Sequence, residues 1–413
     1  MNSRTMPIAA ISLPKRQRRH LVSKSKPLFA TPASAYYLIL GSVVALSSLG
    51  LVMVLSASSV KSLRESGNSF SFVARQALFL ILAAGLAWVA MKLRYELWKP
   101  IAQVSLVFSC ALLILPQIGG IGKTVGGNTN WIEIGSFTLQ PSEFAKLGLI
   151  LWCALRLRIH DQRASESLPS NPARLIVPGF ALIMTLIMIG NDLGTAAVVS
   201  GIIAGILFIS GLPLRVFGIL SLVGSAIFAA FILPNANRMN RFSAFFDPFA
   251  EENYQGVGWQ QAHSIMGLAS GGALGTGLGS SKQKWGSLPE VHTDFIFAVI
   301  GEEFGLLGTL ATLGLFGILI LGIFKVALNA QNSFDRYVCA GIGCWIAVQV
   351  LLNIGTVISV IPVVGVTLPL ISYGGSSLIA TFIALGFVLG VLRRDPQIAS
   401  EIRQRKAART ARG

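Results

Sequence analysis

Charge is what this chain lacks. Of its 413 residues only 12% are charged, and just 17 are acidic. Soluble domains carry roughly a quarter charged residues. With 53% hydrophobic residues and a mean hydropathy of +0.68, the scarcity excludes an ordinary water-soluble domain and fits an integral membrane protein. Cysteine is equally sparse. Cys110, Cys153, Cys339 and Cys344 lie scattered in or beside apolar segments, with no CxxC pair, so neither a disulfide framework nor a cysteine metal site is expected. The chain has no internal repeat and no GxxxxGK[ST] phosphate loop, which argues against ATP-driven work.

What is present is a succession of apolar runs, near 36–57, 73–91, 97–116, 142–158, 174–190, 193–211, 214–233, 304–325, 337–360 and 374–392. Crossing a bilayer takes about 20 helical residues, so these runs predict an all-α integral membrane protein of about ten transmembrane helices. The first run is longer than a signal-peptide core and reads as an uncleaved anchor. An even count puts both termini on one side. Lys92, Arg94, Lys99, Arg156, Arg158, Arg163, Arg174 and Arg215 follow spans two, four and six, which makes that side cytoplasmic.

The net charge of +16 sits largely in the two tails, which suits positive-inside topology and anionic headgroups and gives no reason to invoke nucleic acid. The chain thus divides into a basic cytoplasmic tail (1–35), a polytopic membrane domain (36–393) and a second basic tail (394–413). Segments 117–141, 234–303 and 361–373 fall outside. The large loop between spans seven and eight, 234–303, is rich in glycine and aromatics, as "LASGGALGTGLGSS" illustrates.

The polar residues that break the apolar pattern gather at the external side. "LPEVHTDFIFAVIGEEFG" (288–305) holds His292, Asp294, Glu302 and Glu303. Asp294 reads either as a helix N-cap before an apolar run or as a carboxylate that accepts a substrate proton at the membrane face. Glu302 and Glu303, about 12 Å further along an unbroken helix, would line the same cavity or pair with a neighbouring cation. His292 lacks the partners a zinc site needs. In "NTNWIEIGSFTLQPSEFAKL" Pro141 suits a helix start, Glu143 and Lys146 face each other at i, i+3, and Trp131 suits the interface. Asp192 in "NDLGTAAVV" suits a cap. Arg238 and Arg241 suit phosphate, of a headgroup or a substrate. "PLISYGGSS" places Ser372 and Ser376 at the opening of the last span, where alone they would signal a turn and a cap.

In order along the chain, "QPSEFAKL", "DLGTA", "LPEVHTDFIFAVIGEEFG" and "PLISYGGSS" resemble the SEDS family (shape, elongation, division and sporulation) over most of residues 36–394, with the division branch nearer than the elongation branch. The resemblance implies a peptidoglycan glycosyltransferase that polymerises lipid II into glycan strands outside the membrane. It also implies partnership with a class B penicillin-binding transpeptidase and other division proteins at the septum. The family's essential acid falls on Asp294. This chain departs from its relatives in having Gly126 and Asn130 before the loop tryptophan, and "GNDLGT" in place of "QPDLGT".

The implied reaction is a single inverting displacement giving a β-1,4 linkage. It needs a base at the acceptor hydroxyl, here Asp294, and positive charge at the departing diphosphate. Lys123, Arg238, Arg241, Lys282 and Lys284 are candidates for the second task, with a divalent cation (Mg²⁺ or Mn²⁺) the alternative and no other cofactor required. Glu143, Lys146, Glu302 and Glu303 would shape the cavity and set the protonation of Asp294. A lipid II flippase or an inert division scaffold are the rivals; the flippase calls for broken helices and polar groups near the midplane.

Overall fold

The computed structural model describes residues 32–125, 127–135, 137–167, 171–233, 239–240, 244–286, 288–396, 398 and 400–401. Both basic tails lie largely outside them. Helices occupy the apolar runs: α1 (Pro32–Ser66), α2 (Ser71–Lys92), α3 (Tyr95–Ile114), α4 (Pro141–Ser165), α5 (Pro172–Ile189), α6 (Leu193–Ile209), α7 (Leu214–Ile232), then, beyond α8 (Trp259–Gly271) within the 234–303 segment, α9 (Ile296–Asn329), α10 (Ser333–Val357) and α11 (Gly375–Arg394). Of these, α1, α2, α3, α5, α9, α10 and α11 are long and apolar enough to cross a membrane. The protein is a multi-pass, mainly helical membrane protein.

An element outside the all-helical expectation is a small antiparallel sheet, β1 (Gly122–Val125), β2 (Asn128–Ile134) and β3 (Phe137–Leu139), in the order β1-β2-β3. The alternation in "NTNWIEI" has a period of two, and Gly135 supplies the positive φ (61°) for the turn into β3.

Two helices form the centre. α10 packs against α4, α6 and α9, and α11 lies along α2. Small residues make this approach close, as expected where lipid supplies no hydrophobic drive between helices. Gly201 and Gly205, one turn apart on α6, face Val348 and Cys344 of α10, and Gly386 of α11 lies against the backbone of Ala87 on α2. The outward faces of α2 and α3 stay apolar and exposed, as at Ile81, Val104, Val107 and Phe108.

α9 is interrupted near its start. Gly305 adopts φ 66°, and the segment after α8 docks into the break. The Thr276 and Gly277 amides donate to the Glu302 and Glu303 carbonyls at 2.9 and 3.1 Å, and the Leu306 amide donates to the Gly272 carbonyl at 2.9 Å. Backbone groups freed by the break are thus satisfied by the glycine-rich loop. That loop passes so close that a Cβ on Gly305 would stand 2.3 Å from the Gly275 nitrogen.

Candidate functional site

Asp294 lies two residues before α9. The helix N-cap is Phe295, with no side-chain cap, so Asp294 is not the cap that its place before an apolar run suggested. Among the described residues no hydrogen bond reaches its carboxylate, and Oδ2 points toward the turn at Gly365. Burial chiefly, then the negative charges of Glu290 and Asp192, push this carboxyl up to about 7. The backbone around it is pinned from several directions. The Asn353 amide of α10 donates to the carbonyls of Asp294 (2.8 Å) and Val366 (2.7 Å). The Ser372 hydroxyl donates to the Thr293 carbonyl at 2.6 Å and accepts from the Leu368 amide at 2.8 Å. The Tyr373 amide donates to the His292 carbonyl at 3.0 Å.

His292 is wedged edge-on against Phe72 (5.2 Å between ring centres) and beside Tyr373 (5.8 Å). Burial, aided by the positive charge of Lys61, lowers its pKa to about 4, so the ring is neutral at physiological pH. Two cations that sequence reasoning did not single out therefore stand near the Asp294 turn. Lys61 acts on His292 and lies over the Phe72 ring at 5.9 Å, and the positive charge of Arg75 acts on the Tyr373 hydroxyl.

One helical turn from Asn353, Gln349 organises a second cluster. Its Oε1 accepts from Lys146 Nζ at 3.0 Å and from Trp345 Nε1 at 2.6 Å, while its Nε2 donates to the Thr367 carbonyl at 3.0 Å. Lys146 is fully buried and bonds Glu143 at 2.9 Å. Asp192 caps α6, accepting from the Thr195 amide (2.8 Å) and hydroxyl (2.7 Å). Burial raises its pKa, against the lowering effect of the Thr195 bonds and of Lys146. Gln140 ties this cluster to α11, donating its backbone N–H to Ser376 Oγ at 3.0 Å and its side chain to Asp192 at 3.4 Å.

Glu302 and Glu303 belong to a third group. Glu302 accepts from the Ser281 hydroxyl (2.5 Å) and the Lys282 amide (2.9 Å). Glu303 accepts from Ser56 of α1 (2.6 Å) and pairs with buried Lys284 (3.8 Å), which also donates to the Gly279 carbonyl. Lys284 is thus already engaged, and the exposed Lys282 contributes its backbone rather than its ammonium. Lys123, opposite Trp131 in the sheet, pairs with Glu133 at 3.0 Å in an exposed bridge. Arg238 and Arg241 lie outside the described residues. Among the described residues no three His, Cys, Asp or Glu gather as a metal site.

The structure therefore brings together Asp294, His292 and Ser372, and joins Glu143, Lys146, Asp192 and Ser376 to them through α10 and Gln140. The residues missed were Gln349, Asn353, Gln140, Lys61 and Arg75. For the first two a signal existed: amides at i, i+4 in an apolar span must find partners inside the bundle.

The fold and this site define a multi-pass membrane protein with buried polar clusters and an aspartate, its carboxylate free of hydrogen bonds among the described residues, beside a helix start. Residues 36–396 match the cell cycle protein family of FtsW, RodA and SpoVE. A probable peptidoglycan glycosyltransferase FtsW from Coxiella burnetii is 37% identical over 353 residues, 84% of this chain and 93% of that protein. Stage V sporulation protein E of Bacillus subtilis is 36% identical over 84% of this chain and 94% of its own length. Among solved structures, a chain of a peptidoglycan synthase complex that coordinates polymerization and crosslinking superposes with a TM-score of 0.70 at 29% identity, covering 86% of this chain and 96% of that one. The rod shape determining protein RodA of Thermus thermophilus gives 0.61 at 28% identity, with the same two shares. This chain belongs to the FtsW/RodA/SpoVE family, the SEDS proteins.

Proposed function

We propose that the protein is a peptidoglycan glycosyltransferase that polymerises lipid II at the outer face of the cytoplasmic membrane, with Asp294 as the general base. The observation that carries this reading is the Asp294 carboxylate, free of hydrogen bonds among the described residues and poised at about 7. A base is most effective when its pKa lies near the working pH, where such groups contribute about 10²–10⁴-fold. Asp294 takes the proton of the acceptor sugar hydroxyl. The hydroxyl oxygen forms the new bond at the anomeric carbon, and the bond to the diphosphate breaks with inversion, giving the β-1,4 linkage. The diphosphate leaves as a stable anion and requires only positive charge. Arg75 and Lys61 supply it from the side of Tyr373 and His292, with Arg238, Arg241 or a divalent cation (Mg²⁺ or Mn²⁺) as further sources.

Relatives bearing the FtsW and stage V sporulation names support a cell-cycle role, which this reading puts at the septal wall, and the basic residues that follow spans two, four and six support cytoplasmic termini. The synthase-complex neighbour supports a class B penicillin-binding transpeptidase as partner. A flippase reading gains one feature, the break at Gly305. That break leaves residues 306–329 as about 36 Å of continuous helix, a full span, so it stands at a membrane face and not at the midplane where a transport site is built.

The test uses the purified full-length chain with its penicillin-binding partner and labelled lipid II, under penicillin to block crosslinking. Polymer from the wild type and none from a folded Asp294→Asn supports the reading. Polymer from both removes Asp294 as the base, and polymer from neither, with an active partner, favours transport or scaffolding.

A further inference from the structure

At the far end of α11 from the Ser372 turn, about 30 Å away along its 20 residues, lies a cavity of about 520 Å³ between the α2–α3 turn and the last turn of α11. Lys92, Arg94, Arg393 and Arg394 line it, against a single acidic residue, Glu96. Arg394 gives Nη2 to Asp335 at 3.3 Å and lies over the Tyr95 and Phe387 rings at 6.0 and 5.7 Å, while its Nη1 is buried with no hydrogen-bond partner among the described residues. Among the described residues Arg393 reaches only the Met91 sulfur, at 3.7 Å. Lys92 lies over the Trp88 ring at 3.8 Å. Arg94 makes no ion pair among the described residues. So much unbalanced positive charge around one cavity is a site for an anion.

The surroundings say which kind. Beside the cavity, Trp88 and Val89 at the end of α2 and Leu97 and Ile101 at the start of α3 are exposed. These continue the apolar outer faces of both helices, and an exposed tryptophan with a lysine over its ring suits the headgroup level of a bilayer. A soluble anion has no use for that apolar margin, whereas a phospholipid places acyl chains against it. We propose that this cavity holds the phosphodiester headgroup of an anionic phospholipid from the leaflet opposite Asp294, with its acyl chains along α2 and α3. Basic pockets between transmembrane helices are suited to such headgroups.

Native mass spectrometry of the full-length chain in detergent, with phosphatidylglycerol, phosphatidylcholine or inorganic phosphate added, tests this against Arg94→Gln/Arg393→Gln. The wild type should retain phosphatidylglycerol in preference to phosphatidylcholine. The double variant should bind it roughly 30-fold more weakly, the equivalent of about 1 kcal/mol for each basic residue removed. Equal retention by wild type and variant overturns the site. Displacement of the lipid by low millimolar inorganic phosphate overturns the lipid assignment in favour of a soluble anion. Should the double variant fail to fold, Arg94→Gln alone carries the same comparison, with about a fivefold loss expected.

Discussion

The side-chain amide of Asn353 donates to the backbone carbonyl of Asp294 at 2.8 Å, and to that of Val366 at 2.7 Å. One residue in the middle of the bundle thus holds the turn that carries the carboxylate and the turn that faces it. Asn353→Leu leaves two carbonyls without their donor, a loss of about 2–4 kcal/mol in stability. In the polymerisation assay kcat should fall about 10- to 100-fold with KM little changed, since small displacements of a catalytic group have that effect. A kcat equal to wild type would remove Asn353 as a positioning residue.

The pH dependence follows from Asp294 itself. A base with pKa about 7 is active only when ionised, so kcat/KM should rise through about pH 7 and level off above it. Stability runs the other way. The folded pKa lies above the ordinary carboxyl value of 3.8, so stability from this group is full below 3.8 and is lost as pH rises through 7. Asp294→Asn, which cannot ionise, should therefore melt higher than wild type at pH 8, and the gap should narrow toward pH 5. Thermal unfolding in detergent measures both, and an unchanged gap argues against the raised pKa.

Glu143 and Lys146 form a buried pair at 2.9 Å, with Gln349 as the third member. Removing one partner strands a buried charge, at a cost of about 3–5 kcal/mol, whereas replacing both by apolar residues of similar size is often close to neutral. Lys146→Met and Glu143→Gln should each lower the melting temperature more than Glu143→Leu/Lys146→Met does. If the double variant is the least stable of the three, the pair itself is stabilising.

Gly305 tests the broken start of α9. Its φ of 66° and the 2.3 Å approach to the Gly275 nitrogen leave no room for a Cβ. Gly305→Val should force the glycine-rich loop off Glu302 and Glu303, expose the Glu303–Lys284 pair and lower the amount of folded protein in membranes. Gly314→Val, on the same helix with open space around it, is the matched control. Equal yields of the two variants would show that the loop is not locked to the helix.

The sequence by itself determined the membrane class, the apolar helices, the proline start of α4, the Asp192 cap and the family, because these depend on local hydropathy, on the backbone needs of single residues and on short ordered motifs. Asp294 was also legible as a candidate. Its alternative role as a cap was equally legible and wrong, since capping depends on where the helix begins, and that start slipped to Ile296. Which polar groups meet was decided by the tertiary structure alone. Lys284 faces Glu303 because Gly305 breaks α9 and admits a loop from more than twenty residues upstream. Lys61 and Arg75 come near the Asp294 turn because α1 and α2 reach the same end of the bundle as the segment before α11. In a low-dielectric interior a polar side chain must be satisfied by whatever its neighbouring helices present, and that choice is made by packing between elements far apart in the chain.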